Sequence, residues 1–178
     1  MIMDLKRYTT VIDTPLGKMR AAARDEALTG LWFVGQKYFP QGTEAWFKKP
    51  DSPLFVLLND WLKAYFSGEK PTVKIPLAPH GTEFQQAVWK LLLEIPYGKT
   101  TTYGAIAAQL SSTGKRAAAQ AVGGAVGHNP ISLLIPCHRV LGADGSLTGY
   151  AGGLEKKRAL LELESAIPTT APGKHPLP

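Results

Sequence analysis

The chain has one cysteine, Cys137, among 178 residues. A lone thiol cannot close an internal disulfide, which excludes a disulfide-stapled secreted fold. It equally excludes a zinc site built on several cysteines. Long apolar runs are missing too. Stretches such as 131–135 fall far short of a membrane span. The first residues, Met-Ile-Met-Asp-Leu-Lys-Arg-Tyr, hold no run like that of a signal peptide, so a soluble, cytoplasmic protein is expected. Acid is scarce: 14 Asp and Glu stand against 20 Lys and Arg, a net charge of +6. Between Ile95 and Ala143 there is no acidic residue at all, while Lys99, Lys115, Arg116 and Arg139 fall in that stretch. Such a gap suits a face kept free of repulsion toward phosphates. It suits equally a core segment of small residues.

What is present is globular: 44% hydrophobic residues and four Trp exclude a disordered chain. The length admits one domain or two small ones. Strands are expected at 7–12, 18–23 and 28–34, with a turn at Thr14-Pro15-Leu16-Gly17. Residues 35–50 read as a loop in which Trp46 and Phe47 can dock on the core. Ser52 and Pro53 mark a helix start. Leu54, Leu57, Leu58, Trp61, Leu62, Tyr65 and Phe66 form its apolar stripe. The proline-bearing stretch 70–79 reads as an extended linker. Thr82 and Gln85 have capping-box spacing and open a second helix. Two short helices at 103–110 and 115–126, joined by a turn containing Gly114, suggest a helix-turn-helix. Residues 131–135 read as a short buried strand or extended segment, and 154–164 as a last helix. The expected fold is α+β. An N-terminal α/β domain over 1–78 combines an antiparallel sheet with a helix. A mostly helical domain with the helix-turn-helix covers 79–165, and 166–178 form a flexible tail.

The chemistry centres on Cys137-His138. A thiolate, not a thiol, is the nucleophile, and an imidazole held by a carboxylate can take the proton. On pattern alone the pair suits a thiol hydrolase as readily as a transferase, or simple packing of a buried Cys beside a His.

The flanking residues narrow this. Ile135-Pro136-Cys137-His138-Arg139-Val140 resembles the active-site signature of the methylated-DNA–protein-cysteine methyltransferases, the O6-alkylguanine-DNA alkyltransferases. Phe84-Gln85-Gln86-Ala87-Val88-Trp89, Ile95-Pro96-Tyr97-Gly98 and Thr102-Tyr103-Gly104 resemble successive segments of the same family. So do Ala121-Val122-Gly123-Gly124-Ala125, Asn129-Pro130, Thr148-Gly149-Tyr150-Ala151-Gly152-Gly153 and Leu160-Leu161-Glu162-Leu163-Glu164. In order, they cover about residues 82–164. The N-terminal part is similar only through Thr14-Pro15-Leu16-Gly17 and Ala64-Tyr65-Phe66.

The resemblance implies direct repair of O6-methylguanine in double-stranded DNA, with the methyl group moved irreversibly to Cys137, once per molecule. It implies His138 as base through a water, Glu164 as the carboxylate orienting it, and Asn129 as the clamp on the cysteine turn. Tyr103 would donate to the leaving guanine. The carbonyls of Cys137 and Val140 would accept its amino group, the Ala151 amide would face O6, and Tyr150 would line the pocket. On the DNA side it implies Lys115, Arg116, Gln120, Ala121, Gly123 and Arg139. Gln120 stands where relatives commonly carry an Arg that fills the gap left by the flipped base. No cofactor is implied. No zinc is expected either, because the N-terminal part holds no Cys and only His80 near its end. The expected partner is duplex DNA bearing O6-alkylguanine, bound by a protein that is monomeric in solution. Cooperative loading on DNA and repair of O4-methylthymine stay open.

Overall fold

In the computed structural model, which describes residues 7–169, β1 (Arg7–Thr14) and β2 (Gly17–Arg24) form a hairpin. Its turn is closed by Gly17 at φ +116°, where a side chain would be strained. β3 (Ala27–Phe33) pairs antiparallel with β2. Met19, Ala21, Ala23, Leu28, Leu31 and Phe33 are buried in the shared core. One strand was not expected. Within the loop 35–50, β4 (Phe47–Lys48) runs parallel to β1, giving the order β3-β2-β1-β4. The sheet is therefore mixed and not wholly antiparallel. Phe47 does not dock; it is 61% exposed, and only Trp46 packs, with its ring 6.4 Å from that of Trp32.

α1 (Pro53–Phe66) starts as the sequence suggests, with Ser52 Oγ accepting from the Phe55 amide. Its buried stripe takes in Phe55 and leaves Leu57 exposed. The stretch 70–79 is more than a spacer. Pro76 and Ala78 bond across to Leu28 on the free edge of β3, and Pro130 and Ser132 bond to Leu31 further along the same edge. Covering that edge removes a site for stray strand pairing. It also fixes the segment leading to Cys137 directly on the N-terminal sheet. The apolar core is continuous across both parts, from Leu31 and Tyr65 to Val88, Ile106 and Ile135.

α2 (Glu83–Leu93) carries the full capping box, Thr82 and Gln85 bonding reciprocally. β5 (Thr101–Thr102) leads into α3 (Tyr103–Ser112), capped by Thr102. α4 spans Ala119–Gly127 and starts four residues later than the sequence suggests. Lys115 and Arg116 lie in the exposed, irregular segment before it. Val122, Ala125 and Val126 are its buried face, and Trp89 Nε1 donates to the Ala125 carbonyl. Before the helix, Ala117 packs against the core while Lys115, Arg116 and Ala118 are exposed. Residues 131–135 form a buried turn and not a strand, with Leu133 at φ +72° and only an isolated bridge from Ile131 to Leu31. β6 (Val140–Leu141) pairs parallel with β5. α5 (Leu154–Leu163) ends on Glu164 as its C-cap. Of the tail expected at 166–178, residues 170–178 lie outside the described residues.

Candidate active site

Cys137 opens a single turn of 3-10 helix, Cys137–Arg139, between the buried turn and β6. Asn129 builds its approach. Its Nδ2 donates to the Ile135 carbonyl at 2.7 Å, and its Oδ1 accepts from the Ile131 amide at 3.0 Å. These bonds hold the unfavourable backbone of Leu133, a bulky residue at positive φ. The thiol is 6% exposed and lines a cavity of about 410 Å³, shared with Tyr103, Gly123, Tyr150 and Ala151. That volume lies in the range of small-molecule pockets.

Behind the thiol, His138 Nε2 lies 3.2 Å from both oxygens of Glu164, and both side chains are fully buried. Burial alone would raise the Glu164 pKa. Hydrogen bonds from His138 and Arg139 overcome this and bring it down to about 2. Glu164 is thus a carboxylate and can only accept. The proton shared with it must sit on Nε2, which leaves Nδ1 with a lone pair. Nδ1 is buried and has no protein partner among the described residues. Burial also lowers the His138 pKa, against the pull of Glu164. The imidazole is therefore neutral near pH 7, with its basic nitrogen free.

Two residues of this cluster are not expected at the site from the sequence: Tyr65 reads there only as part of an apolar stripe, and Lys157 is not singled out. Tyr65, on α1 of the N-terminal part, donates to Glu164 Oε1 at 3.2 Å. Lys157 is wholly buried on α5, and its Nζ donates to the carbonyls of Val140, Thr148 and Gly149. Burial lowers the Lys157 pKa to about 8. The signal for Lys157 was its spacing: 157, 160, 161 and 164 share one helix face, and Leu160 and Leu161 on it are core residues.

The remaining expected positions divide. Tyr103 Oη donates to the Thr148 carbonyl at 2.8 Å, so it braces the loop that forms the far wall of the cavity. The Val140 carbonyl accepts from Lys157. The Tyr150 hydroxyl is buried without a partner among the described residues. The Ala151 carbonyl accepts from the Lys37 amide, which brings the 35–40 loop to the cavity rim. Gln120 and Ala121 are exposed on α4, and Gly123 lies against the Tyr103 ring. Arg139 is a correction. Expected to face DNA, it is buried, its guanidinium donating to Glu164 and to the Ile95 carbonyl. A buried guanidinium holding a carboxylate is not free to reach a phosphate.

Burial raises the Cys137 pKa above its ordinary 9.0, opposed more weakly by Asn129 and Lys157. In the free protein the thiol is therefore protonated at neutral pH. Alkylation of Cys137 by iodoacetamide should accelerate about tenfold per pH unit from pH 7 to 9. A plateau below pH 8, followed by intact mass, would show a thiol already ionised.

Two family models match the chain. One is the 6-O-methylguanine DNA methyltransferase ribonuclease-like domain, over residues 7–79, and the other is the DNA binding domain of the same methyltransferase, over residues 83–166. A methylated-DNA–protein-cysteine methyltransferase of Mycobacterium tuberculosis is 50% identical over 155 residues, 87% of this chain and 90% of that one. One from Haemophilus influenzae is 44% identical over 158 residues, 88% of this chain and 86% of that one. Among solved structures, Mycobacterium tuberculosis OGT in complex with DNA superposes with a TM-score of 0.80 at 46% identity, covering 89% of this chain and 93% of that one. An O6-methylguanine DNA methyltransferase from Methanococcus jannaschii gives 0.65 at 26% identity, covering 93% and 98%.

Proposed function

The chain belongs to the family of methylated-DNA–protein-cysteine methyltransferases, and on that premise we propose that it repairs O6-alkylguanine in duplex DNA by moving the alkyl group to Cys137. The observation that carries the reading is the free Nδ1 of a neutral His138, fixed in its tautomer by an ionised Glu164, behind a thiol that lines a base-sized cavity.

The target carbon lies inside a stacked duplex, so the nucleotide must be flipped into the cavity at a cost of a few kcal/mol. α4 suits close approach to DNA, because Gln120, Ala121 and Gly124 are exposed and two of the three are small. Lys115 and Arg116, in the exposed segment before it, would meet phosphates. With guanine seated, His138 Nδ1 takes the thiol proton through a water. The sulfur attacks the methyl carbon, the S–C bond forming as the C–O6 bond breaks, and the electron pair leaves on O6. Hydrogen bonding from the Ala151 amide to O6 and from the Tyr103 hydroxyl to the ring supports that charge. The thiol proton finally balances the guanine. Tyr103 must leave the Thr148 carbonyl to do this, and Lys157, which also bonds Thr148, keeps the loop in place.

The thioether has no second thiol to resolve it. Labelled methyl should pass from methylated duplex to protein with a one-to-one endpoint, mapped to Cys137. Sustained turnover, or label elsewhere, would defeat the reading.

Gln120 can hydrogen-bond to the base opposite the gap but lacks a fixed charge and a planar fork. Gln120→Arg should tighten duplex binding severalfold at low salt, with the gain shrinking as salt rises. Equal or weaker binding across a salt series would remove Gln120 from the gap.

A further inference from the structure

The outer face of the N-terminal sheet carries charge that alkyl transfer does not use. Arg7 on β1 and Arg24 on β2 are direct cross-strand partners, and Arg20 lies further along the same face of β2, opposite Val11. Like charges placed directly opposite destabilise a sheet. Among the described residues none of these three arginines forms an ion pair. The Nε atoms of Arg20 and Arg24 are buried without a hydrogen-bond partner.

Beside them lies a cavity of about 300 Å³, walled by Arg7, Arg24, Trp32, Trp46, His80 and Pro130. Trp32 lies across Gly30, where any side chain would collide with the indole. Trp46 stands next to it, under the Arg7 guanidinium. The cavity adjoins the end of α4. Pro130 follows two residues after His128, the C-cap of that helix, and the Tyr38 ring stacks on His128 at 3.8 Å.

We propose that this cavity is a nucleotide site, in which Arg7 and Arg24 take a phosphate and the Trp46 indole flanks the neighbouring base. A phosphate between the two guanidiniums replaces their repulsion with charge-assisted hydrogen bonds. A flat heterocycle is the natural neighbour of an exposed indole edge or face. The nucleotide can come from a DNA strand running past the C-terminal end of α4 or from a free mononucleotide. The strand version rests on the DNA-repair reading; the free-nucleotide version does not.

The test compares Arg24→Gln with Lys18→Gln. The latter removes the same charge from the far end of β2, where Lys18 is already paired with Asp13. Binding of an undamaged 20-base-pair duplex across a salt series should weaken about 5-fold for Arg24→Gln, with the salt slope falling by about one. Lys18→Gln should stay near the wild type. The melting temperature of Arg24→Gln should equal or exceed that of the wild type, since one of two opposed charges is gone, which separates lost binding from lost folding. In parallel, thymidine monophosphate is titrated against tryptophan emission. Quenching in the wild type that Arg24→Gln abolishes assigns a free nucleotide to the site; a response to duplex alone assigns the strand. If Arg24→Gln matches Lys18→Gln on duplex and thymidine monophosphate does not bind, the proposal is overturned. A wild type that binds no duplex would overturn the repair reading instead, with the mononucleotide arm still deciding the cavity.

Discussion

Cys137→Ser is expected to end methyl uptake altogether while leaving duplex binding and the fold in place. The two side chains are nearly the same size, so the buried turn and its Asn129 clamp have no reason to move. Chemistry is the difference. A serine hydroxyl is far less acidic than a thiol, and the neutral His138 lacks the driving force to ionise it. Displacement at a methyl carbon favours the polarisable sulfur. Labelled methyl recovered on protein should fall below detection even after long incubation with excess methylated duplex. Duplex affinity should stay within about twofold and the melting temperature within a few degrees. Methyl found on the introduced serine or on any other residue would mean that the pocket activates a nucleophile by a route other than the His138–Glu164 pair. The chain has no second cysteine to take over, so no other thiol can blur the result.

Much of this site was legible because its residues fall in short contiguous segments. Cys137 and His138 are neighbours, Asn129 lies within the same turn-bearing stretch, and the helix starts at Ser52 and Thr82 are local capping events. Local chemistry of that kind is written in adjacent residues. Three features were not legible, for three physical reasons. Tyr65 meets Glu164 across 99 residues of chain, and on α1 its spacing is that of one more core aromatic. Arg139 reads as a surface cation in an acid-free region; its direction depends on Glu164 and the Ile95 carbonyl, both far away in sequence. The start of α4 could not be read because residues 115–118 have ordinary helix-forming side chains.

Tyr65 also gives the N-terminal part a role beyond support. Its α1 contributes a hydroxyl to the carboxylate that orients His138, while the edge of β3 anchors Pro130 and Ser132 on the path to Cys137. The catalytic turn is held from both sides, by α5 through Glu164 and by the sheet through Leu31.

Glu164→Gln tests that junction, and its expected effects are large on both stability and rate. The Glu164 pKa is held near 2, below its ordinary 4.5. A carboxylate depressed in the folded state adds stability that is complete above its unfolded value and is lost as pH falls toward the folded one. Here that is about 3 kcal/mol. The substitution also leaves the Arg139 guanidinium buried without its counter-charge, and breaking a buried pair in this way typically costs about 3–5 kcal/mol. For a chain of this length the melting temperature should drop by roughly 10 °C. The deficit against the wild type should shrink by about 1.4 kcal/mol per pH unit below pH 4.5, measured by urea unfolding at pH 7 and pH 3.5. A deficit equal at both values would mean that the carboxylate charge contributes nothing. The rate should fall as well, by about two to four orders of magnitude, because an amide no longer requires the proton on Nε2 and so no longer keeps Nδ1 free. Adding Arg139→Met separates the two losses. Removing the orphaned cation should recover much of the stability, whereas alkyl transfer should stay slow, since His138 still lacks the carboxylate that sets its tautomer. Recovery of both would assign Glu164 to the fold alone.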